Sequence, residues 1–315
     1  MKNKIFRLAL ILLLAGWAPL AQAAGKLRVV ATVPDLVDIT RRIGADLAEV
    51  QGLARGPEDI HQVVMKPSFV TRLNKADAVV YLGLSVEHSF LPGLLEVARN
   101  PKARRNADTF GCLGPGCIDC SEGVNVMEKP ETLSRAEGEL HPQGNPHYNL
   151  DPQEGPRMAR LIAAGLARLD PEHAADYERN LKAYLSELEP RIAEWKRLAA
   201  ALHGFKAVSF HKDVAYLGRF TGIDFVDTVE LKPGIAPTPT HLEQLVKKMK
   251  GQGVKLIVRE QQYDAKVCEW LAEKTGAGIA VIGTMANALP DSETFEKFSE
   301  RNLKALLEAA GKRGP

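Results

Sequence analysis

Short β-rich runs alternate with helical patterns twice along this 315-residue chain, and one long helical stretch separates the two series. LRVVAT (27–32), EVQGLA (49–54) and AVVYLG (78–83) read as buried strands, with helical stretches near 35–45, 68–76 and 87–98 between and after them. After residue 204 the pattern restarts. KAVSF (206–210), FVDTVEL (225–231), VKLIVR (254–259) and GIAVIG (278–283) are strands, with helices near 212–221, 239–250 and 264–275 and a closing helix near 292–310. Alternation of this kind predicts an α/β chain of two lobes, each with a mostly parallel sheet flanked by helices.

Between the two series, apolar residues fall at Tyr177, Leu181, Tyr184, Leu185, Leu188, Ile192, Trp195, Leu198 and Leu202. Spacings of three and four put them on one helix face. Asp170 and Pro171 make a start signal, a capping carboxylate followed by proline in the first turn. A helix over 171–202 would span roughly 48 Å and could join the lobes as a stiff spine. Pro190 lies inside it and predicts a kink or a break, which keeps two separate core helices as the alternative.

The chain opens MKNKIFRLALILLLAGWAPLAQA. Lys2, Lys4 and Arg7 precede an apolar run, and Ala21-Gln22-Ala23 is a small-residue cleavage site. This predicts a secretory signal peptide too short to span a bilayer. No cysteine lies near the cut, so a lipid anchor there is not expected. The expected division is a signal peptide (1–23), an N-terminal lobe (24–169), a linking helix (170–203) and a C-terminal lobe (204–315). Loss of three basic residues turns the excess of 41 Lys+Arg over 39 Asp+Glu into a slight acidic balance. That gives no footing for nucleic acid or an anionic membrane surface.

Residues 101–145 hold Gly, Pro and charge with little periodicity, and read as a long loop of the functional or disordered kind. They carry Cys112, Cys117 and Cys120; the fourth cysteine is Cys268. Export permits disulfides. One local disulfide stapling the loop, with the third cysteine free or paired to Cys268, stands against an accessory metal-capture loop in which thiols, Glu137, Glu139 and His141 take part.

Ligands of open α/β sheets bind beyond the carboxyl ends of the strands. Three histidines sit at such places: His61 in GPEDIHQVVMKPSF, His147 in GNPHYNLDP, and His211 directly after KAVSF. Glu260 ends VKLIVRE in the same way. Any one of them alone is more often a surface or core residue; the pattern of four on the same edge of two lobes is what carries the inference. His88, His173, His203 and His241 lie in helical or helix-edge contexts and read as surface residues.

These segments resemble the cluster A-I solute-binding proteins of metal-specific ABC importers, the ZnuA/TroA-like family. LRVVATVPDLVDITRRIGAD resembles the family's opening strand and helix, and PEDIHQVVMKPSFVTRLNKADAVVYLGLSVE its first histidine segment with the K-A-D and G-x-x-x-E pattern. GNPHYNLDP is similar to its second histidine motif, and DPEHAADYERNLKAYLSEL to the start of its linking helix. The resemblance covers essentially the whole chain beyond the signal peptide. It implies that His61, His147 and His211 are metal ligands in an interlobe cleft. The first motif departs from the usual D-P-H-x-x-E-P style. The family commonly has an Asp after the last C-lobe strand; in VIGTMANALPD no Asp stands at that place, Asp291 lying too far along, so Glu260 becomes the expected fourth ligand, with water as the competitor.

Three imidazoles and at most one carboxylate suit Zn²⁺ in a four-coordinate site, whereas Mn²⁺ or Fe²⁺, the alternatives, would draw on more oxygen donors. The expected role is capture of Zn²⁺ in the periplasm, as a monomer, and delivery to the inner-membrane permease of an ABC importer. A zinc hydrolase or lyase with Glu260 as general base, and a metal chaperone serving another partner, are the competing functions.

Overall fold

The computed structural model describes residues 25–130 and 141–311. The N-terminal sheet is formed by β1 (Leu27–Ala31), β2 (Ala48–Gly52), β3 (Ala78–Tyr81) and, after a small antiparallel pair of β4 (Arg104–Arg105) and β5 (Cys112–Leu113), β6 (Cys117–Asp119). Its order is β2-β1-β3-β6, parallel throughout. Helices α1 (Pro34–Gly44), α2 (Pro67–Lys75) and α3 (Leu91–Ala98) connect it, and α4 (Gly155–Leu169) completes its cover. Parallel strands bury both faces, and Val79 and Val80 of β3 are accordingly fully enclosed.

The C-terminal sheet contains β7 (Lys206–Ser209), β8 (Asp224–Thr228), β9 (Leu256–Glu260) and β10 (Gly278–Ile282), in the order β10-β9-β7-β8, again parallel. Helices α6 (Ala215–Thr221), α7 (Pro239–Gln252) and α8 (Ala265–Thr275) connect these strands, and α9 (Phe295–Ala309) closes the chain. Among the described residues, no helix is long and apolar enough to cross a membrane.

Helix α5 (Ala174–Ala199) runs without a break through Pro190, flanked by tight turns over 171–173 and 200–202. The proline is exposed, so its missing N–H and ring crowding fall on the solvent side. Leu188 and Trp195, buried on either side of it, hold both halves against the core. Asp170 does not cap the first N–H groups. Its carboxylate instead accepts from Tyr177 Oη (2.8 Å) and pairs with His173 Nδ1 (2.8 Å).

Residues 101–120 are more ordered than their composition predicts. Cys117–Asp119 adds an edge strand to the first sheet, a segment too short to leave a period in the sequence. Cys112 and Cys117 are joined in a disulfide, and Cys120 and Cys268 are free thiols buried in different lobes. Glu137 and Glu139 lie outside the described residues.

The lobes share a core. Residues of β1, α1, α4 and α5 belong to the same apolar cluster as Ile282, Phe295, Phe298 and Leu306 from the C-terminal part. Polar ties cross as well. Asp38 accepts the Phe295 N–H (2.9 Å), Asn149 donates to the Thr284 carbonyl (2.9 Å), and Arg219 reaches both Asp151 and Glu154 (2.7 Å each). An apolar interface of this kind resists hinge bending. Small-angle scattering of the metal-free and metal-loaded protein is therefore expected to give nearly the same radius of gyration; compaction on loading would mean that the shared core opens.

Candidate metal centre

The carboxyl ends of both sheets face one another, and the loops leaving them carry the histidines. His61 sits on a short turn, Ile60–Gln62, after β2, where the Asp59 carboxylate accepts the His61 N–H (2.9 Å). His147 immediately precedes the turn Tyr148–Leu150. His211 follows β7 by two residues. All three are buried, at 8%, 5% and 4% exposure. One candidate donor atom from each lies within 4.8 Å of the other two, and the Nε2 atoms of His61 and His147 are 2.9 Å apart.

Neighbours fix which ring nitrogen faces the cleft. His147 Nδ1 donates to Asn145 Oδ1 (3.0 Å), an atom that also accepts the His147 backbone N–H (3.0 Å). Asn145 is itself held across the cleft by Lys212 O (3.2 Å) and Tyr216 Oη (2.8 Å). His211 Nδ1 faces the buried Glu230 carboxylate at 2.7 Å. In both rings Nε2 is left as the donor toward the centre, the arrangement that orients imidazole toward a metal.

Burial, and then the neighbouring His61, His141 and His211, push His147 well below the ordinary histidine range. It therefore stays neutral and able to coordinate. His211 behaves oppositely. Burial lowers its proton affinity, but the Glu230 bond and the nearby Asp213 carboxylate outweigh that and raise it.

Glu260 is not drawn into this group. It is fully buried at the end of β9, beneath the His211 segment, where Oε2 accepts the His211 N–H at 3.4 Å. Burial and the adjacent Asp213 carboxyl push its proton affinity well up. A strand end fixes where the backbone exits; here the side chain turns under the loop.

Two further histidines reach the site: His88, read from sequence as a surface residue, and His141, offered as part of an accessory metal-capture loop. The His88 ring lies 5.8 Å from that of His61, and the His141 ring lies 5.1 Å from His61 and 5.7 Å from His147. His88 falls in a turn before α3 rather than within a helix, which redirects its side chain. His173, His203 and His241 stay away from the cluster, as expected; His173 pairs with Asp170 and His241 with the Thr228 carbonyl. Glu230 and Asn145 were missed, although Glu230 lies near the end of a stretch read as a strand and Asn145 stands two residues before a recognised histidine. His141, His147 and His211 line a cleft of about 310 Å³ with Glu128, Asn145 and Lys212.

The family model for zinc-uptake complex component A, periplasmic, matches residues 29–309. The chain belongs to that family. It is 25% identical to a manganese ABC transporter substrate-binding lipoprotein of Streptococcus gordonii, over 92% of this chain and 91% of the relative. It is 24% identical to an iron ABC transporter substrate-binding lipoprotein of Streptococcus pyogenes serotype M1, over 91% and 90%. A crystal structure of ZnuA superposes with a TM-score of 0.72 at 26% identity, covering 91% of this chain and 99% of that one.

Removing the Glu230 charge should loosen the orientation of His211. Glu230→Gln is expected to weaken metal binding about 10–100-fold, the usual cost of losing a partner behind a ligand. An unchanged affinity in a chelator-competition titration would show that Glu230 does not support the site.

Proposed function

We propose that this protein captures Zn²⁺ in the periplasm and delivers it to the permease of an ABC importer. The observation that carries the reading is the buried His61, His147 and His211 triad, with one donor atom from each within 4.8 Å of the others. His61 and His147 would come from the lobe before residue 170 and His211 from the lobe after 203, with the linking helix between them. Membership of the zinc-uptake family supports the carrier role. The relatives named for manganese and iron make those ions the alternative cargo.

Donor chemistry favours zinc. Three neutral imidazoles are borderline-soft donors that suit a tetrahedral Zn²⁺, while Mn²⁺ prefers oxygen and higher coordination. Water would complete the shell. Glu260 is read here as the residue that holds the His211 loop, since its carboxyl lies outside the donor group and accepts that backbone N–H. Glu260→Gln should therefore weaken zinc binding by no more than about 100-fold. A larger loss, with a Glu260 oxygen about 2.0–2.2 Å from bound zinc, would restore Glu260 as the fourth ligand.

Metal analysis of protein purified from the periplasm without added metal tests the cargo directly, and zinc should dominate. His147→Ala should weaken zinc binding far more than His173→Ala in competition against a chelating dye. Equal effects would overturn the ligand assignment.

Protons compete with metal for the same nitrogens. Because His211 is held above its ordinary value, affinity should begin to fall as pH drops toward about 6.5 and continue below it. Calorimetry across about pH 5–8 should show that decline. A flat profile would argue against a histidine site.

A further inference from the structure

The backbone that follows β10 touches the loops of two of the three histidines. Asn149, which follows His147 closely, donates its side-chain Nδ2 to the Thr284 carbonyl (2.9 Å). Gly56, in the loop that leads to His61, is buried against the backbone of Ala286 and Asn287. A Cβ placed on Gly56 would lie 2.1 Å from the Asn287 carbonyl carbon, 2.2 Å from its oxygen and 2.5 Å from the Ala286 oxygen. Gly56 is not in the left-handed region, so lack of space, not backbone conformation, requires glycine here.

We propose that the turn over 283–292 is a positioning platform for the cargo ion: by seating Gly56, it fixes how far His61 stands from His147 and His211. This rests on the reading of those three histidines as the cargo site. Residues 283–290 hold no His, Cys, Asp or Glu, so the turn acts on the site through placement.

The platform is held on its own side. Asn302 of α9 accepts the Gly283 N–H (2.9 Å) and donates to the Gly283 carbonyl (3.0 Å). The Asn287 N–H donates to the Ser292 carbonyl, and the buried Ser292 hydroxyl donates to the Leu289 carbonyl (2.6 Å), which closes the turn. The fully buried Asp35 of α1 accepts the Ala286 N–H (3.2 Å).

The loop it seats is tied as well. Gln261, directly after β9, donates its N–H to the Ile282 carbonyl (2.9 Å) and its side-chain Nε2 to the Pro57 carbonyl (2.9 Å). Within the loop, the Glu58 N–H donates to the Arg55 carbonyl (3.0 Å) and the Arg55 N–H to the Glu58 carboxylate (2.8 Å). The Gln62 N–H donates to the Asp59 carbonyl (3.0 Å), and the Asp59 carboxylate accepts the His61 N–H (2.9 Å). A shift at Gly56 is therefore carried to the imidazole. Non-bonded carbons settle at about 3.5–4.0 Å, so a methyl group at position 56 would drive the two backbones apart by more than about 1 Å. Metal–ligand distances tolerate only about 0.2 Å.

The test is a double-mutant cycle in the full chain. Gly56→Ala should raise the zinc dissociation constant at least about tenfold in chelator competition. Zinc K-edge absorption of that variant should show two imidazoles in place of three. Placed on His61→Ala, the same substitution should change the dissociation constant by less than about threefold, because the histidine it displaces is already gone. Should Gly56→Ala fail to fold by circular dichroism, Gln261→Ala takes its place. Loss of the bond to Pro57 should weaken zinc binding about two- to tenfold, and only while His61 is present.

The proposal is overturned if folded Gly56→Ala loses less than about tenfold in affinity or keeps all three imidazoles. It is also overturned if the loss is as large on His61→Ala, since the contact would then act on the fold as a whole. With Gln261→Ala as the variant, unchanged affinity, or an equal loss with and without His61, overturns it. A His61→Ala chain that binds zinc as tightly as the unaltered one is a different result: it removes His61 from the cargo site, and the platform's role with it.

Discussion

Three imidazoles buried in one cleft, two of them with Nε2 atoms 2.9 Å apart, set the terms for everything around them. Their electron pairs converge, and protonating more than one would place like charges together away from water. The arrangement is favourable when a cation sits between them. Until then it is held by the groups behind the rings: Asn145 for His147, and Glu230 for His211. These partners fix the tautomers and keep the donor atoms facing inward. The pull of burial on His147 and the opposing pull of Glu230 and Asp213 on His211 follow from the same geometry.

The scaffold makes that convergence possible through the core that its two lobes share. Each parallel sheet delivers its loops to one edge, and the two edges are set face to face by a core running from β1 and α1 through α5 to α9. The Arg219 bonds to Asp151 and Glu154 pin the segment just after His147 to the helix that follows His211. Donors from before and after the linking helix thus meet within 4.8 Å of one another. The half-buried His88 and His141 lie beside the buried triad.

Much of this was legible in the sequence because the responsible patterns are local. Strand–helix alternation gave the two parallel sheets, three-and-four spacing gave the linking helix, and the strand-end rule brought His61, His147 and His211 to one edge. The rest depends on how the chain turns between elements. Pro190 was expected to kink or break the helix and does not break it, because burial of Leu188 and Trp195 outweighs one lost hydrogen bond. His88 was read as peripheral because a helix was expected from residue 87, while the chain makes a glycine turn and starts α3 at Leu91. Glu260 ends β9 as expected, and its Oε2 accepts the His211 N–H. Glu230, two residues beyond β8, the strand beside β7, is the carboxylate that meets the His211 imidazole. Cys117–Asp119 is too short a strand to announce itself by period.

The most direct test of the account is zinc K-edge X-ray absorption on the loaded protein. Three imidazole nitrogens at about 2.0–2.1 Å with one oxygen completing a four-coordinate shell is the predicted result. A shell dominated by oxygen, one containing sulfur, or one with fewer than three imidazoles would contradict it.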